Sequence, residues 1–527
     1  MTEAASPARA WVVLAMLALA ASFFFALGRA PLFDVDEGAF SEATLEMFER
    51  GDFLSTYLNG EPRYDKPILI YWLQAASVLA FGVDEFAFRL PSALCATLWV
   101  ALTFLFARRY FGAQTAMLAA ALMATSLGVY VIGRAATADA LLNMLIAASM
   151  FAAWRHLELA HHGESARRDR SDRRAWLLAT HAAIGLGFLA KGPVAILIPL
   201  AVTFLFCVLR RDLRTWAWAA FDPLGLLLFA AIALPWYAVI LHKEGWAFVQ
   251  GFFLKHNLDR FGGTLQGHAG SLVYYVPVVL VGTLPFTALL IRVLTRIKQV
   301  WRDDLQCYLL LWFAFVLVFF SLSGTKLPHY VLYGMTGMFI LMSAHAAGLR
   351  QRLWTLLPAL LFFVFLLVFP ELVRLAVPRV QDAYYREALA SAENYFGWGY
   401  FAFAGVGTAV TLWFMLDRRL PLTQALAATG VAATIGLSAF VVPVGAGIQQ
   451  ETIKEAAQLA RSQNLEVIVW RLNAPSFNVY YGKPTPSREP KPGEVVMTKA
   501  KRLPELPGSG YQVLYAKNGI VLVRVSG

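Results

Sequence analysis

Apolar runs long enough to cross a bilayer recur along most of this 527-residue chain. A helix needs about 20 predominantly apolar residues to span the hydrocarbon core. Backbone inside lipid must also satisfy its own hydrogen bonds, which leaves helices as the expected solution. With 58% hydrophobic and 15% charged residues, the chain reads as an α-helical polytopic membrane protein. The runs are too long and too uniformly apolar for the alternating strands of a membrane β-barrel. The first run, residues 11–27, follows a tail carrying Arg9. It resembles a signal peptide, but no clear cleavage site follows, so it reads as a retained helix.

Charge then sets the expected topology. The net charge of +11 sits mainly in short loops between apolar runs, which is a membrane-orientation signal and implies no nucleic-acid partner. Arg108 and Arg109, the Arg155 to Arg174 segment, Arg210 with Arg211, Arg292 to Arg302, Arg350 with Arg352, and Arg418 with Arg419 are therefore expected in the cytoplasm. The alternate loops mix acids, histidines, aromatics and isolated basic residues, and are expected outside. Strict alternation gives roughly thirteen spans, an N-terminus in the cytoplasm and a C-terminus outside. Cys95, Cys207 and Cys307 all fall inside predicted spans, so neither a disulfide nor a cysteine metal site is expected.

Two departures from the apolar pattern mark the domains. Residues 444–527 are polar enough to be soluble. An amphipathic helix over 451–462 and strands near 466–470, 494–498, 511–516 and 520–525 predict a small extracytoplasmic α/β domain. Residues 1–443 form the membrane domain, and its first outside loop, about 29–89, is unusually long. Helical spacing is expected over 36–50, and a second apolar stretch over 67–81 is short for a full span. This loop holds Asp34, Asp36, Glu37, Asp65 and Lys66. Ionisable groups at a membrane boundary are costly unless they meet water, a partner or a substrate.

Four motifs follow in order: Asp36-Glu37-x-x-Phe40-x-Glu42, Arg63-Tyr64-x-Lys66-Pro67, His256-Asn257-x-x-Arg260-Phe261 and Lys326-Leu327-Pro328-x-Tyr330. Their order and shared side of the membrane resemble the lipid A aminoarabinose transferases, within the GT-C glycosyltransferases that include the protein O-mannosyltransferases. The resemblance implies a GT-C fold and an inverting transfer of sugar from a polyprenyl-phosphate donor. The acceptor would be a lipid A phosphate or another lipid, glycan or protein, on the periplasmic side of a bacterial inner membrane. A flippase or transporter of lipid-linked sugar is the alternative, although transporters place their polar sites near the midplane and between repeats, and neither is evident here.

Each candidate residue has a physical rationale. By the resemblance, Asp36 is the catalytic carboxylate, acting as general base on a hydroxyl acceptor or orienting an ionised one; a carboxylate opening a helix is also an ordinary N-cap. Asp34 and Glu37 are weaker catalytic candidates and read as solvated or as pairing with nearby bases. Cleaving a sugar–phosphate bond develops charge on the departing phosphate, which fixed cations stabilise. Lys66, Arg260 and Lys326, isolated cations on the outer face, suit that role, and Tyr64 and Tyr330 carry hydroxyls for the same phosphate. Glu37, Asp139, Lys191 and Asn257 are candidates for sugar or acceptor contacts, with Arg134 a charge partner for Asp139 and membrane snorkelling a second reading of Lys191. Asp65 could bind a divalent metal together with His256 or His268. No organic cofactor is expected. Where the aminoarabinose transferases carry Arg-Tyr in the first motif, this chain has Ala39 and Phe40, so a cation beside the catalytic acid is missing. The C-terminal domain holds no catalytic constellation.

Overall fold

Helices that are apolar on every side bury one face against neighbours and leave the other to lipid. That pattern dominates here: Leu98, Leu105, Leu227, Val318, Leu361 and Trp413 are large apolar side chains left on the outer surface. The computed structural model describes residues 7–161, 167–259, 263, 270–346, 351–507 and 510–526. Among them, seven helices are long and apolar enough to cross a membrane, or eight if the bent pair Ala113–Thr125 and Leu127–Arg134 forms one span. The expected thirteen is not reached on this criterion, because several apolar runs are short or broken. Val194–Leu209 has 16 residues, and Tyr275–Gly282 is separated from Thr287–Thr295.

Small residues bring the helices together. A Cβ on Gly337 would lie 2.6 Å from the Leu309 carbonyl, and one on Gly334 would lie 2.8 Å from Val316 Cβ. The Leu332–Ala344 and Asp304–Leu322 helices therefore touch backbone to backbone, as small residues allow within lipid. Buried polar groups find partners across helices: Trp99 Nε1 donates to Thr336 Oγ1 at 2.9 Å, and Trp312 Nε1 to the Tyr333 carbonyl at 2.7 Å.

The first loop folds as expected into two helices, Asp36–Arg50 and Leu69–Phe81. At 13 residues the second is about 20 Å long, too short to cross the core. The pair is joined by Phe40 stacked on Tyr71, with centroids 5.3 Å apart, and by Thr44 Oγ1 donating to Gln74 at 2.9 Å. Between them a two-strand hairpin, β1 (Tyr57–Leu58) and β2 (Glu61–Pro62), turns the chain.

The C-terminal domain begins later than residue 444. The last apolar helix runs on through a π-helical turn, Leu437–Val441, to Gln449. Pro443 does not end it: it follows directly on that π-helical turn, at the start of the Val442–Gln449 segment. After the Glu451–Ser462 helix, β3 (Val467–Val469), β4 (Val495–Lys499), β5 (Tyr511–Lys517) and β6 (Ile520–Val525) form one sheet in the order β3-β4-β6-β5. Only the β3–β4 pairing is parallel. The helix packs Ile453, Ala456, Ala457 and Ala460 onto this sheet.

Candidate active site

The first loop, the Leu127–Arg134 helix and the segment around Pro328 enclose a cavity of about 780 Å³. One end is polar, lined by Asp34, Asp36, Glu37, Arg89, Arg134, Asp139 and His329; the other is apolar, with Val131, Val278, Val281, Leu332 and Met335. Cavities of this size, mostly apolar with a few converging polar groups, are typical ligand sites.

Asp36 is the first residue of its helix, exposed and facing the cavity. Its carboxylate has no hydrogen-bond partner among the described residues, and the helix cap is Val35, so Asp36 is not spent as a cap. Its sequence neighbours Glu37 and Asp34 are both engaged. Glu37 lies buried under Arg89 and also accepts from the Phe33 and Ala136 backbone N–H groups at 2.9 and 2.8 Å. Burial alone would raise its pKa, but Arg89 and these donors hold it below the usual range. Glu37 is thus a structural anchor, with its oxygens already occupied, rather than a sugar ligand. Asp34 is not solvated either. Its Oδ1 accepts from Ser476 N at 2.9 Å and its Oδ2 from Ser476 Oγ. Burial pushes its carboxyl up to about 7 despite those bonds. Glu42 is also buried, accepting from Asn478 Nδ2 at 2.5 Å and Asn59 N at 3.0 Å, and burial pushes it up to about 8.

Beside this end lies a cationic cluster. Asp65 is held by Lys66 Nζ at 2.8 Å, His256 Nδ1 at 3.0 Å and Arg63 Nη2 at 3.2 Å. Burial would raise its pKa, yet Lys66, His256 and Arg63 keep it well below the carboxylate range. Arg63 also donates to the Ala39 carbonyl at 2.5 Å and lies 5.1 Å from the Phe40 ring centre. A cation therefore does stand against the first motif, supplied by the second. Burial opposes its charge, but Tyr71, Asp65 and Asp36 together hold its pKa above the ordinary value.

Other candidates have different partners from those expected. Asp139 pairs with Lys191, accepts from Tyr333 OH at 2.7 Å and lies 3.5 Å from His329 Nε2. Arg134 is not its partner; that guanidinium donates to the Ser22 and Ala26 carbonyls, each at 3.1 Å. Lys191 does not snorkel, since it also donates to Tyr333 OH at 2.8 Å. Tyr64 OH donates to Glu244 at 2.9 Å, and burial beside that acid raises its pKa to about 12. Asn257 Nδ2 donates to the Phe252 carbonyl at 2.7 Å within a π-helical stretch, Val249–Asp259. Lys326 is buried with Nζ on the Ser323 carbonyl at 2.5 Å, and Tyr330 packs on Phe320 with centroids 4.8 Å apart. Among the described residues, Lys66, Tyr64, Lys326 and Tyr330 do not line the cavity itself.

Arg260 and His268 lie outside the described residues. Of the possible metal ligands, Asp65 and His256 meet, but Lys66 and Arg63 already occupy the carboxylate oxygens. No group of three His, Cys, Asp or Glu gathers among the described residues.

Sequence reasoning missed Arg89, His329 and Ser476. Arg89 is a lone cation opening an apolar helix, which was a usable signal. His329 stands in the variable position of the fourth motif. Ser476 is distant in sequence and carries no pattern.

Residues 65–238 match the family model described as dolichyl-phosphate-mannose-protein mannosyltransferase. An uncharacterized protein of Aquifex aeolicus is 30% identical over 332 residues, covering 62% of this chain and 72% of its own length. An undecaprenyl phosphate-alpha-4-amino-4-deoxy-L-arabinose arabinosyl transferase of Pseudomonas fluorescens is 31% identical over 337 residues, covering 63% of this chain. The chain spans 59% of the length of that transferase. The crystal structure of ArnT from Cupriavidus metallidurans bound to undecaprenyl phosphate superposes with a TM-score of 0.78 at 20% identity, covering 97% of each chain. That likeness carries the fold.

Proposed function

The chain belongs to the GT-C membrane glycosyltransferases, among those resembling the aminoarabinose transferases, and from that premise we propose that it moves a sugar from a polyprenyl-phosphate carrier to a lipid acceptor, a lipid A phosphate or another envelope lipid. The observation that carries this reading is the cavity, with an exposed Asp36, without a hydrogen-bond partner among the described residues, at its polar end and an apolar end between helices. An isoprenoid tail suits the apolar end, and its phosphate and sugar suit the polar one.

The bond between the anomeric carbon and the carrier phosphate oxygen breaks, and an acceptor oxygen bonds to the opposite face of that carbon. Negative charge grows on the departing phosphate, and Lys66, with Arg63 beside it, supplies fixed positive charge near the first motif. A hydroxyl acceptor gives its proton to Asp36; an ionised phosphate acceptor needs no base, and Asp36 then faces the positive charge developing on the sugar ring. No organic cofactor enters this scheme. A divalent cation would find Asp65 and His256 among the described residues, with the Lys66 ammonium 2.8 Å from the same oxygen.

The protein is a multi-pass inner-membrane protein. The basic loops support a periplasmic position for the cavity end and the C-terminal domain. Purified protein, labelled polyprenyl-phosphate sugar and lipid A test the reading. Transfer of label to the acceptor is expected; label that crosses a proteoliposome membrane with its bond intact would instead mean a transporter.

A further inference from the structure

The Pro475–Tyr481 helix of the C-terminal domain grips the first loop at three points. Ser476 holds both carboxylate oxygens of Asp34. Asn478 Nδ2 reaches Glu42 Oε1 at 2.5 Å and Asn59 Oδ1 at 3.2 Å. Tyr480 OH accepts from Leu32 N at 2.7 Å and donates to Glu85 at 3.1 Å. The surfaces meet without a gap at Gly38, where a Cβ would lie 2.1 Å from Asp34 Oδ1 and 2.6 Å from Ser476 N.

These contacts bear on Asp36. Its own carboxylate has no hydrogen-bond partner among the described residues, and beside the charge of Arg63 it is its backbone that aims it. That backbone is anchored on both sides, by Glu37 under Arg89 after it and by Asp34 on Ser476 before it. Val35, between the two aspartates, has an exposed side chain, and its carbonyl accepts from Ala39 N at 3.0 Å as the helix begins. Asp34 and Asp36 both line the cavity, whereas Ser476 is fully buried and does not.

We propose that Ser476 is a positioning residue for the transfer reaction: by fixing Asp34, the C-terminal domain sets the direction from which Asp36 enters the cavity. This rests on the reading of Asp36 as the catalytic carboxylate. The domain is then part of the active centre, although it contributes no reacting group.

The test uses the full chain, with polyprenyl-phosphate aminoarabinose as donor and lipid A as acceptor. Ser476→Ala is expected to lower kcat about tenfold through misplacement of Asp36, with donor KM changed by less than about twofold. Amide exchange over residues 34–40 should quicken while the rest of the chain stays protected. Ser476→Thr keeps the hydroxyl and should restore most of kcat. Lys454→Ala removes a second domain contact, to Glu85 at 2.5 Å, and should leave kcat unchanged. A Ser476→Ala enzyme with normal kcat, or a Lys454→Ala enzyme equally slowed, overturns the proposal. Should Ser476→Ala fail to fold, Asp34→Asn carries the same expectation for kcat and is read the same way. Asp36→Asn separates the two readings: full turnover in that variant defeats the catalytic assignment, while its loss beside a normal Ser476→Ala defeats only the positioning role.

Discussion

Arg89 meets Glu37 through two hydrogen bonds, Nε to Oε1 at 2.8 Å and Nη2 to Oε2 at 2.7 Å. The other guanidinium hydrogens go to the carbonyls of Leu27, Ala30 and Pro31 at 3.0, 2.6 and 2.8 Å. All five donors of the planar fork are thereby used. The pair ties the first membrane helix, the loop and the Glu85–Phe111 helix into one corner beside Asp36.

Arg89→Ala should therefore destabilise the protein by about 3–5 kcal/mol, because Glu37 is left charged, buried and unpaired. The pKa of Glu37 is depressed in the folded state, so its contribution is present above the ordinary carboxylate pKa and is lost as pH falls through the folded value. Melting curves in detergent should show an acid-side loss of stability in the wild type. In Arg89→Ala that stabilisation should be gone already at neutral pH.

Asp36→Asn should fold normally, since the side chain is exposed and caps nothing. Turnover should fall by about 10²-fold or more, the range for a group acting in proton transfer. Single-turnover transfer measured on folded protein checks this, and near-normal transfer would remove Asp36 from the chemistry.

Lys66→Ala should weaken binding of polyprenyl phosphate by about 1.5–3 kcal/mol if it removes a charge-assisted hydrogen bond to the phosphate. Asp65 would keep Arg63 and His256, so the fold should hold. Titration with undecaprenyl phosphate is the measurement, and an unchanged affinity argues for a purely structural role in holding Asp65.

Asp34 should make stability fall as pH rises. Its folded pKa is raised to about 7, against about 4 for an unhindered aspartate. Between those values the folded state binds more protons than the unfolded one, so stability declines with pH and levels off above the folded pKa. Asp34→Asn removes this titration and should flatten the slope between them; an unaltered slope would place the titration elsewhere, with Glu42 the next carboxyl to replace.

Membrane-impermeant thiol labelling of intact cells, with outer-membrane access, should modify Ser487→Cys but not Ser171→Cys. Both positions are exposed, and the three native cysteines are buried and should give little background. Labelling in the reverse pattern would move the cavity to the cytoplasmic side.

Fold class was legible because lipid imposes a one-dimensional rule: an apolar run of sufficient length must be a helix, whatever it touches. The Asp36–Arg50 helix and the four C-terminal strands were legible for a similar reason, since their side-chain periods are local. The motifs likewise marked Asp36 and Lys66 as candidates from neighbours a few positions away. What each side chain is paired with was not legible. Glu37 and Asp36 are adjacent acids with no local feature to tell them apart, yet one is enclosed by Arg89, 52 residues on, and the other is open to the cavity. Lys191 read equally as a donor contact and as an interfacial cation until the packing brought it to Asp139, and Asp34 read as solvated or paired with a nearby base until Ser476, 442 residues away, reached it. Burial and charge pairing depend on distances through space, and in a helical membrane protein those distances are set by which helices pack together, which only the tertiary structure decides.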